Sequence, residues 1–547
     1  MSTAPRRRLD WVFLLPTIEH LPVDVAIVAG GDEELSNSLI SSGLALRCTP
    51  ASTTAEPGPL VVAWADAGEP IDRIAGLVAP GGAVVIEVDR RRRGRRSATL
   101  ARISARLAAS GCRVTSAHLV TPTFAEPRRM LPVDAPNAVR WHLRTLFVPG
   151  TPVMVAGRAM LATISRAPFA SRLLGALAPR LLVIGCRANT IPSAEPAIVL
   201  TSGYDPGSRS IVLRFGRRDR APGTVVKVAS GAESAAATVG EHQRLRMLHD
   251  TLPWELRRAL PAPIALTTIA GRTACIQSCA PGPSLNALAG SVLRRAARKH
   301  GDLAAVVEWL NAFAVATRVS SSTGSQEWMH VFAQAKSSLR LGAAAHELLD
   351  RAEQRATDTG LAGIAVHQHF DAGPWNVHLH RRSLTLVDWE HDEHRPADSL
   401  GPPLADVLYL VTYWYFLVSK VATPDAEGEA LLRLFATRMP SDDHVVAARR
   451  AIDSSLRALG LERSCVPAAL VAMWAERAVY TRARRAGFSA SSPEGVTGEL
   501  RPAAFVRILA AASEELFTAD GWYAFAVGTE TANEDPSRKP RGEPIRG

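Results

Sequence analysis

Cysteine is scarce in this chain: six residues in 547 (Cys48, Cys112, Cys186, Cys275, Cys279, Cys465), none in a CxxC pair. That excludes the usual zinc modules and a disulfide framework, and it fits a reducing cytoplasm. Aromatic residues make up only 6%. Few of them interleave with the one dense basic run, "DRRRRGRRS" (Arg90, Arg91, Arg92, Arg93, Arg95, Arg96), as a single-strand nucleic-acid binder would need. The run reads as a solvated loop. A balance of 63 Lys+Arg against 52 Asp+Glu permits an anionic partner without arguing for one. No apolar run reaches the roughly 20 residues that span a bilayer. The longest, "VLYLVTYWYFLV" after Asp406, reads as a core helix. The opening "MSTAPRRRLDWVFLLPTIEH" is basic, but its apolar part is short and broken by Pro16, unlike a secretory signal.

What the chain does have is ample material for cores. Hydrophobic residues reach 47% and charged residues 21%, a globular balance, and 547 residues predict two to three domains. The first third alternates short apolar strands with helical stretches, the pattern of a parallel α/β sheet. "VDVAIVAGG" and "GPLVVAWADAG" read as strands, and "IDRIAGLVAPGGAVVIEVD" as a helix, a Pro-Gly-Gly turn and a strand. "SATLARISARLAASG" is an amphipathic helix closed by Gly111, followed by "CRVTSAHLVT" and "AVRWHLRTLFV" as two late strands. Residues 166–190 read as an inter-domain connection. "AIVLTSGYDPGSRSIVLRFGRRDRAPGTVVKVAS" then changes to three short strands joined by turns, an antiparallel meander. From about residue 290 the chain reads as helical, and the polar, Pro/Gly-rich tail over 532–547 as disordered.

The densest chemistry lies in "HQHFDAGPWNVHLHRRSLTLVDWEHDEH", residues 367–394. His369, Asp371 and Asn376 form H-x-D-x-x-x-x-N, and Asp388 ends an apolar strand. That is the catalytic-loop and metal-aspartate arrangement of kinase-type phosphoryl transfer. One carboxylate takes or orients the proton of an attacking hydroxyl, while an amide and a second carboxylate hold Mg²⁺. "TVVKVAS" places Lys227 mid-strand, where an unpaired ammonium is costly and a phosphate or carboxylate partner is expected. Glu241 follows on the helix "GEHQRLRMLHD".

"HFDAGPWNV … LVDWE … PLADVLYL" resembles the aminoglycoside phosphotransferase and choline kinase family, whose members read H-G-D-x-x-P-x-N and then I-D-W-E. The resemblance covers the second two-thirds of the chain. It implies a bilobal protein-kinase-like α+β fold: a small antiparallel-sheet lobe over 191–290 and a helical lobe over 291–531. It further implies ATP and Mg²⁺, Asp371 as catalytic base with His369 bracing its loop, and Asn376 and Asp388 as metal ligands. Lys227 paired with Glu241 would hold the nucleotide phosphates, and "TACIQSCAPGPSL", with Gln277 and Cys279, would form the adenine-contacting hinge. Gly203 and Gly207 are the candidates for a phosphate-covering loop that lacks a full glycine triplet, and Asp406 would open the next core helix in a structural role. Phe370 stands where the family has glycine.

Residues 1–165, in turn, resemble the layout of class I S-adenosylmethionine-dependent methyltransferases, a Rossmann-like α/β domain. "VAIVAGGDEEL" has Gly30 and Gly31 rather than a spaced triplet, and "GLALRCTPAS" offers no carboxylate for a ribose. The expectation is therefore a degenerate domain kept for packing or partner binding.

Each kinase residue alone has an ordinary explanation; the ordered set does not. Three classes separate: a small-molecule O-kinase, a catalytically silent scaffold or bifunctional methyltransferase-kinase, and a basic nucleic-acid binder, the last disfavoured. "DWEHDEHRPADSLGPPLADVLYL" leads quickly into a helix, without the long activation segment of protein kinases, so the acceptor is expected to be a small hydroxyl compound. Asp392, Glu393 and Asp398 read equally as an acidic rim for a cationic acceptor and as solvated charges. His378 and His380 share a strand face that a metal could use, but without a third ligand they read as structural, and His367, His391 and His394 as rim residues.

Overall fold

A sheet covered on both faces needs strands that send successive side chains into two cores. "VDVAIVA" does this: Ala26 and Val28 enter one cluster, Ile27 and Ala29 another. The computed structural model describes the chain from Arg7 to Phe517, apart from residues 31, 65–69, 92–98, 147–151, 168, 188–194, 202–207, 217–218, 320–321, 382, 390–399, 422, 437–441 and 490–500. The chain divides into two compact units, Met1–Arg295 with His369–Ser399, and Ala296–Gln368 with Leu400–Gly547.

The first unit is built on one twelve-stranded sheet. Its N-terminal strands are β1 (Val23–Ala29), β2 (Ala45–Pro50), β3 (Gly58–Trp64), β4 (Val78–Asp89), β5 (Arg113–Pro122), β6 (Pro127–Pro132) and β7 (Arg180–Cys186). After them come β8 (Ala197–Thr201), β9 (Arg209–Arg214), β10 (Thr224–Ala229), β11 (Pro263–Ile269) and β12 (Arg272–Ser278). The order is β11-β12-β10-β9-β8-β6-β5-β7-β4-β3-β1-β2. β2, β1, β3 and β4 are parallel, and every pair from β4·β7 onward is antiparallel. The helices of this part are α1 (Glu33–Ser41), α2 (Ile71–Gly76), α3 (Leu100–Ala109), α4 (Pro136–Thr145), α5 (Pro152–Ile164) and α6 (Ala170–Leu177). Asp32 and Thr99 cap α1 and α3 through their side chains.

Three expectations need correction here. Residues 180–186, expected inside a connector, form β7, whose "LLVIGC" is buried between β4 and β5. "AVRWHLRTLFV", expected as a strand, is largely α4, begun by Pro136 at its first turn and burying Ala138, Val139, Trp141, His142, Leu143 and Thr145. Arg90, read as part of a solvated run, donates to the carbonyls of Gly175 and Ala176 at 2.6 and 2.9 Å, capping the end of α6; Arg92 to Arg96 lie outside the described residues.

The meander β8-β9-β10 is where the sequence placed it, but it is not a separate sheet. β8 pairs with β6 through Arg129↔Leu200 and Met130↔Val199, and one core cluster runs from Leu9 to Ala274. α7 (Ala232–Thr251), α8 (Trp254–Arg257) and α9 (Leu285–Ala289) complete this unit's helices. Four short strands follow: β13 (Val366–His367) pairs with β16 (Leu400–Gly401) in the second unit, and β14 (Val377–His380) with β15 (Ser383–Leu386) in the first.

The second unit is otherwise helical: α10 (Ala296–Ala316), α11 (Ser322–Ser338), α12 (Ala343–Asp358), α13 (Ala405–Val418), α14 (Pro424–Phe435), α15 (Asp443–Leu459), α16 (Val466–Ser489) and α17 (Arg501–Ala511). α13 is the apolar run after Asp406, buried on nearly every side as a core helix is. Asp406 itself is buried in its first turn. Among the described residues no helix is long and apolar enough to cross a membrane. The tail over 532–547 lies outside the described residues.

Candidate active site

β10 runs between β9 and β12, so its central residues have strands on both sides. Lys227 faces Ile211 on one and Cys275 on the other and is only 4% exposed. A buried ammonium requires a partner, and Lys227 has two: Glu241 Oε1 at 2.5 Å and Asp388 Oδ1 at 2.7 Å. Glu241 comes from α7, whose first turn is pinned by the Ser234 hydroxyl accepting from the Ser230 and Gly231 amides. The other oxygen of Glu241 accepts from Arg209 Nη1 at 2.6 Å, and Arg209 Nη2 lies 3.8 Å from Asp388 Oδ1.

Arg209 is the member that sequence reasoning missed. Its signal is one of register: Lys227 sits opposite Ile211, so Arg209, two residues earlier on β9, shares the face of Lys227. Two cations and two carboxylates thus form one cluster. Burial works to raise the Asp388 carboxyl, but Lys227 and then Arg209 outweigh it and hold it well below the usual carboxylate range. For Lys227, burial works downward, and Asp388 and Glu241 outweigh it, raising its pKa.

The H-x-D-x-x-x-x-N loop forms a second cluster. His369 Nε2 donates to the Val387 carbonyl at 2.8 Å, leaving Nδ1 to accept the Asp371 amide at 3.2 Å, and the ring packs edge-on against Trp389. Asp371 Oδ2 accepts from Asn376 Nδ2 at 2.9 Å and from Trp375 Nε1 at 3.2 Å. Asn376 Nδ2 also reaches the Asp371 carbonyl, and the Asn376 carbonyl accepts the Val387 amide at 2.8 Å. The loop and the residue before Asp388 are therefore stitched together. Phe370 has φ +63° and Asp388 φ +70°. Glycine reaches that region without strain, so Phe370 is held there by the packing of its buried ring.

The segment expected as a hinge is β12 and the turn after it. Gln277 is buried on β12 opposite Val225, but the Cys279 amide is taken by the Gly223 carbonyl at 3.2 Å, and burial pushes its thiol up to about 12. In the Pro-Gly turn Gly282 has φ +82°, and a Cβ there would meet the Leu379 carbonyl oxygen at 2.2 Å. Only glycine fits. The Gly282 carbonyl accepts from His378 Nδ1 at 3.1 Å, so His378 is spent on this turn. His380 ends β14 exposed, and His367 lies on β13. Gly203, Gly207, His391, Asp392, Glu393, His394 and Asp398 lie outside the described residues.

No family model matches the chain, and no curated protein does. Among solved structures it is similar to a glucosamine kinase in complex with glucosamine, ADP and inorganic phosphate, at 17% identity and a TM-score of 0.34, covering 56% of this chain and 74% of that one. A choline/ethanolamine kinase family protein from Mesorhizobium loti matches at 13% identity and a TM-score of 0.27, covering 50% of this chain and 92% of that one. An aminoglycoside phosphotransferase from Alicyclobacillus acidocaldarius matches at 13% identity and a TM-score of 0.30, covering 58% and 88%.

Proposed function

We propose that this chain is an ATP- and Mg²⁺-dependent phosphotransferase that moves a γ-phosphoryl group to a hydroxyl of a small molecule such as an amino sugar, sugar or amino alcohol. The observation that carries the reading is the meeting of Lys227, Glu241 and Asp388, 14 and 161 residues apart, in one ion cluster, buried at Lys227 and Glu241 and open at Asp388, beside the Asp371–Asn376 clamp. Such a cluster suits a nucleotide. Phosphate oxygens compete with Asp388 for Lys227, and Glu241, fully buried, keeps the ammonium aimed while that exchange takes place.

The donor set also fits Mg²⁺. The carboxylate of Asp388 and the side-chain oxygen of Asn376 are hard oxygen ligands, and Asp388 remains 34% exposed toward solvent. Bound Mg²⁺ supplies positive charge to the phosphate oxygens. The chain does the rest. Asn376 and Trp375 orient the Asp371 carboxylate, which takes the proton of the acceptor hydroxyl. His369 fixes the loop through its two ring nitrogens. Arg209 adds a second cation on the Lys227 face.

We further infer that the N-terminal part is a Rossmann-like, methyltransferase-like domain without a working methyl-donor site, taking in β7, which is inserted between its strands β4 and β5. The parallel core β2-β1-β3-β4 supports the fold, and the missing spaced glycines support the loss. Six free cysteines suit a cytoplasmic setting. The deciding experiment is a coupled ADP-release screen against amino sugars, sugars, amino alcohols and nucleosides, with Asp371→Asn as control. Failure to bind Mg-ATP in calorimetry would overturn the reading.

A further inference from the structure

Open α/β sheets bind ligands outside the carboxyl ends of their strands, where the strand order reverses. In this chain that point lies between β1 and β3: the chain passes from β1 to β2 on one side and resumes with β3 on the other. Three groups surround it. Asp32 follows β1 and caps α1, Trp64 ends β3, and Glu87 lies beside Trp64 on β4.

The place is taken by the chain itself. Arg7 Nη1 pairs with Asp32 Oδ2 at 3.0 Å, Nη2 pairs with both oxygens of Glu87, and the guanidinium carbon lies 4.8 Å from the Trp64 ring centroid. Arg7 is 5% exposed and Glu87 1%. Two carboxylates and an indole face are the chemistry that recognises a flat, delocalised cation with several N–H donors, and a compact ammonium matches it poorly.

Anchoring the N-terminal segment does not require these charges. Leu9 and Trp11 to Leu15 are all buried in the sheet's core, and the Arg8 amide bonds the Ala125 carbonyl at 3.1 Å. A buried cluster of one cation and two carboxylates contributes little net anchoring, because desolvation offsets the pairing. We propose that this crevice is a guanidinium-binding site whose resident ligand is Arg7, held in cis, and that the side chain closes the crevice to other ligands. An external guanidinium compound is excluded from the intact chain because the tethered one is present at far higher effective concentration.

The test is chemical rescue in the full-length protein. Arg7→Ala should lower Tm by roughly 10 °C. Methylguanidinium at about ten times its Kd should restore roughly a third of that loss in the variant and leave the wild type unmoved, while equimolar ethylammonium and sodium chloride do neither. If Arg7→Ala is insoluble, the same salts are compared for refolding yield from urea, and methylguanidinium alone should raise it. Equal responses to all three salts, or the same response in wild type and variant, would overturn the proposal.

Discussion

Glu241 has no exposed surface, and its carboxylate is held from both sides, by Lys227 at 2.5 Å and Arg209 at 2.6 Å. That redundancy has a measurable consequence. Lys227→Met removes one of the two charge-assisted hydrogen bonds to Glu241 while Arg209 still neutralises the acid, and Arg209→Met does the converse; Lys227→Met also releases Asp388, which is 34% exposed and is taken up by solvent, so each should destabilise by about 2 kcal/mol. The double variant removes the second partner as well and leaves a buried carboxylate with neither cation; that second step should cost about 3–5 kcal/mol. The pair should therefore exceed the sum of its parts by about 1–3 kcal/mol, the size of a direct coupling. Adding Glu241→Gln to the double variant removes the stranded charge and should recover much of the excess. Urea unfolding of the wild type, the two single variants, the double variant and the triple variant, with unchanged m-values, reads the cycle and the recovery. Additivity within about 0.5 kcal/mol would refute the shared-carboxylate reading.

Asp371→Asn should lower kcat by roughly 10²- to 10⁴-fold with the Mg-ATP Kd unchanged, since it removes a proton acceptor and no phosphate contact; unchanged turnover would remove Asp371 from that role. Asp388→Ala should abolish Mg²⁺-dependent nucleotide binding in calorimetry, and a wild-type constant would contradict its assignment as metal ligand. His118 and His142 are buried, and burial lowers both to about 4, so the unfolded chain takes up their protons first and stability falls as pH drops from about 6.5 toward 4, by roughly 3 kcal/mol each. Urea midpoints should therefore fall between pH 6.5 and 4.5, and a rise would count against the histidine reading.

Much of this was legible in the sequence where the signal was local. H-x-D-x-x-x-x-N needs no tertiary information, because Asn376 reaches Asp371 within a single loop. Lys227 announced itself as a charge among β-branched residues, and the carboxylate partners it demanded are present. What escaped depends on pairings that sequence order hides. β7 reads as one more apolar stretch, and only insertion between β4 and β5 distinguishes it from a connector. Arg209 acquires its meaning from the β9–β10 register, and Arg7 from a carboxylate 80 residues away. In "AVRWHLRTLFV" the periods of strand and helix overlap over a short run, and Pro136 at the first turn decided for the helix.

The continuity of the sheet bears on why the N-terminal strands and the strands around Lys227 share one chain. Fused but independent domains should survive separation; these should not. Cutting before residue 191 strips β6 from β8 and exposes the N–H and C=O groups that met Arg129 and Met130. It also removes Asp10, whose buried carboxylate accepts from Thr201 at 2.7 Å on β8 and from Ser210 at 2.8 Å on β9. Val199, Val212, Val226 and Ala274 would lose the Leu9–Leu15 segment from their shared cluster. A fragment of residues 191–547 should therefore be insoluble or self-associate through its β8 edge, and it should not bind Mg-ATP even though Lys227, Glu241 and Asp388 are all retained. Size-exclusion chromatography and calorimetry on that fragment settle the point. A soluble monomer with wild-type nucleotide affinity would show that the N-terminal sheet is an appendage and that the lobe carries its own fold.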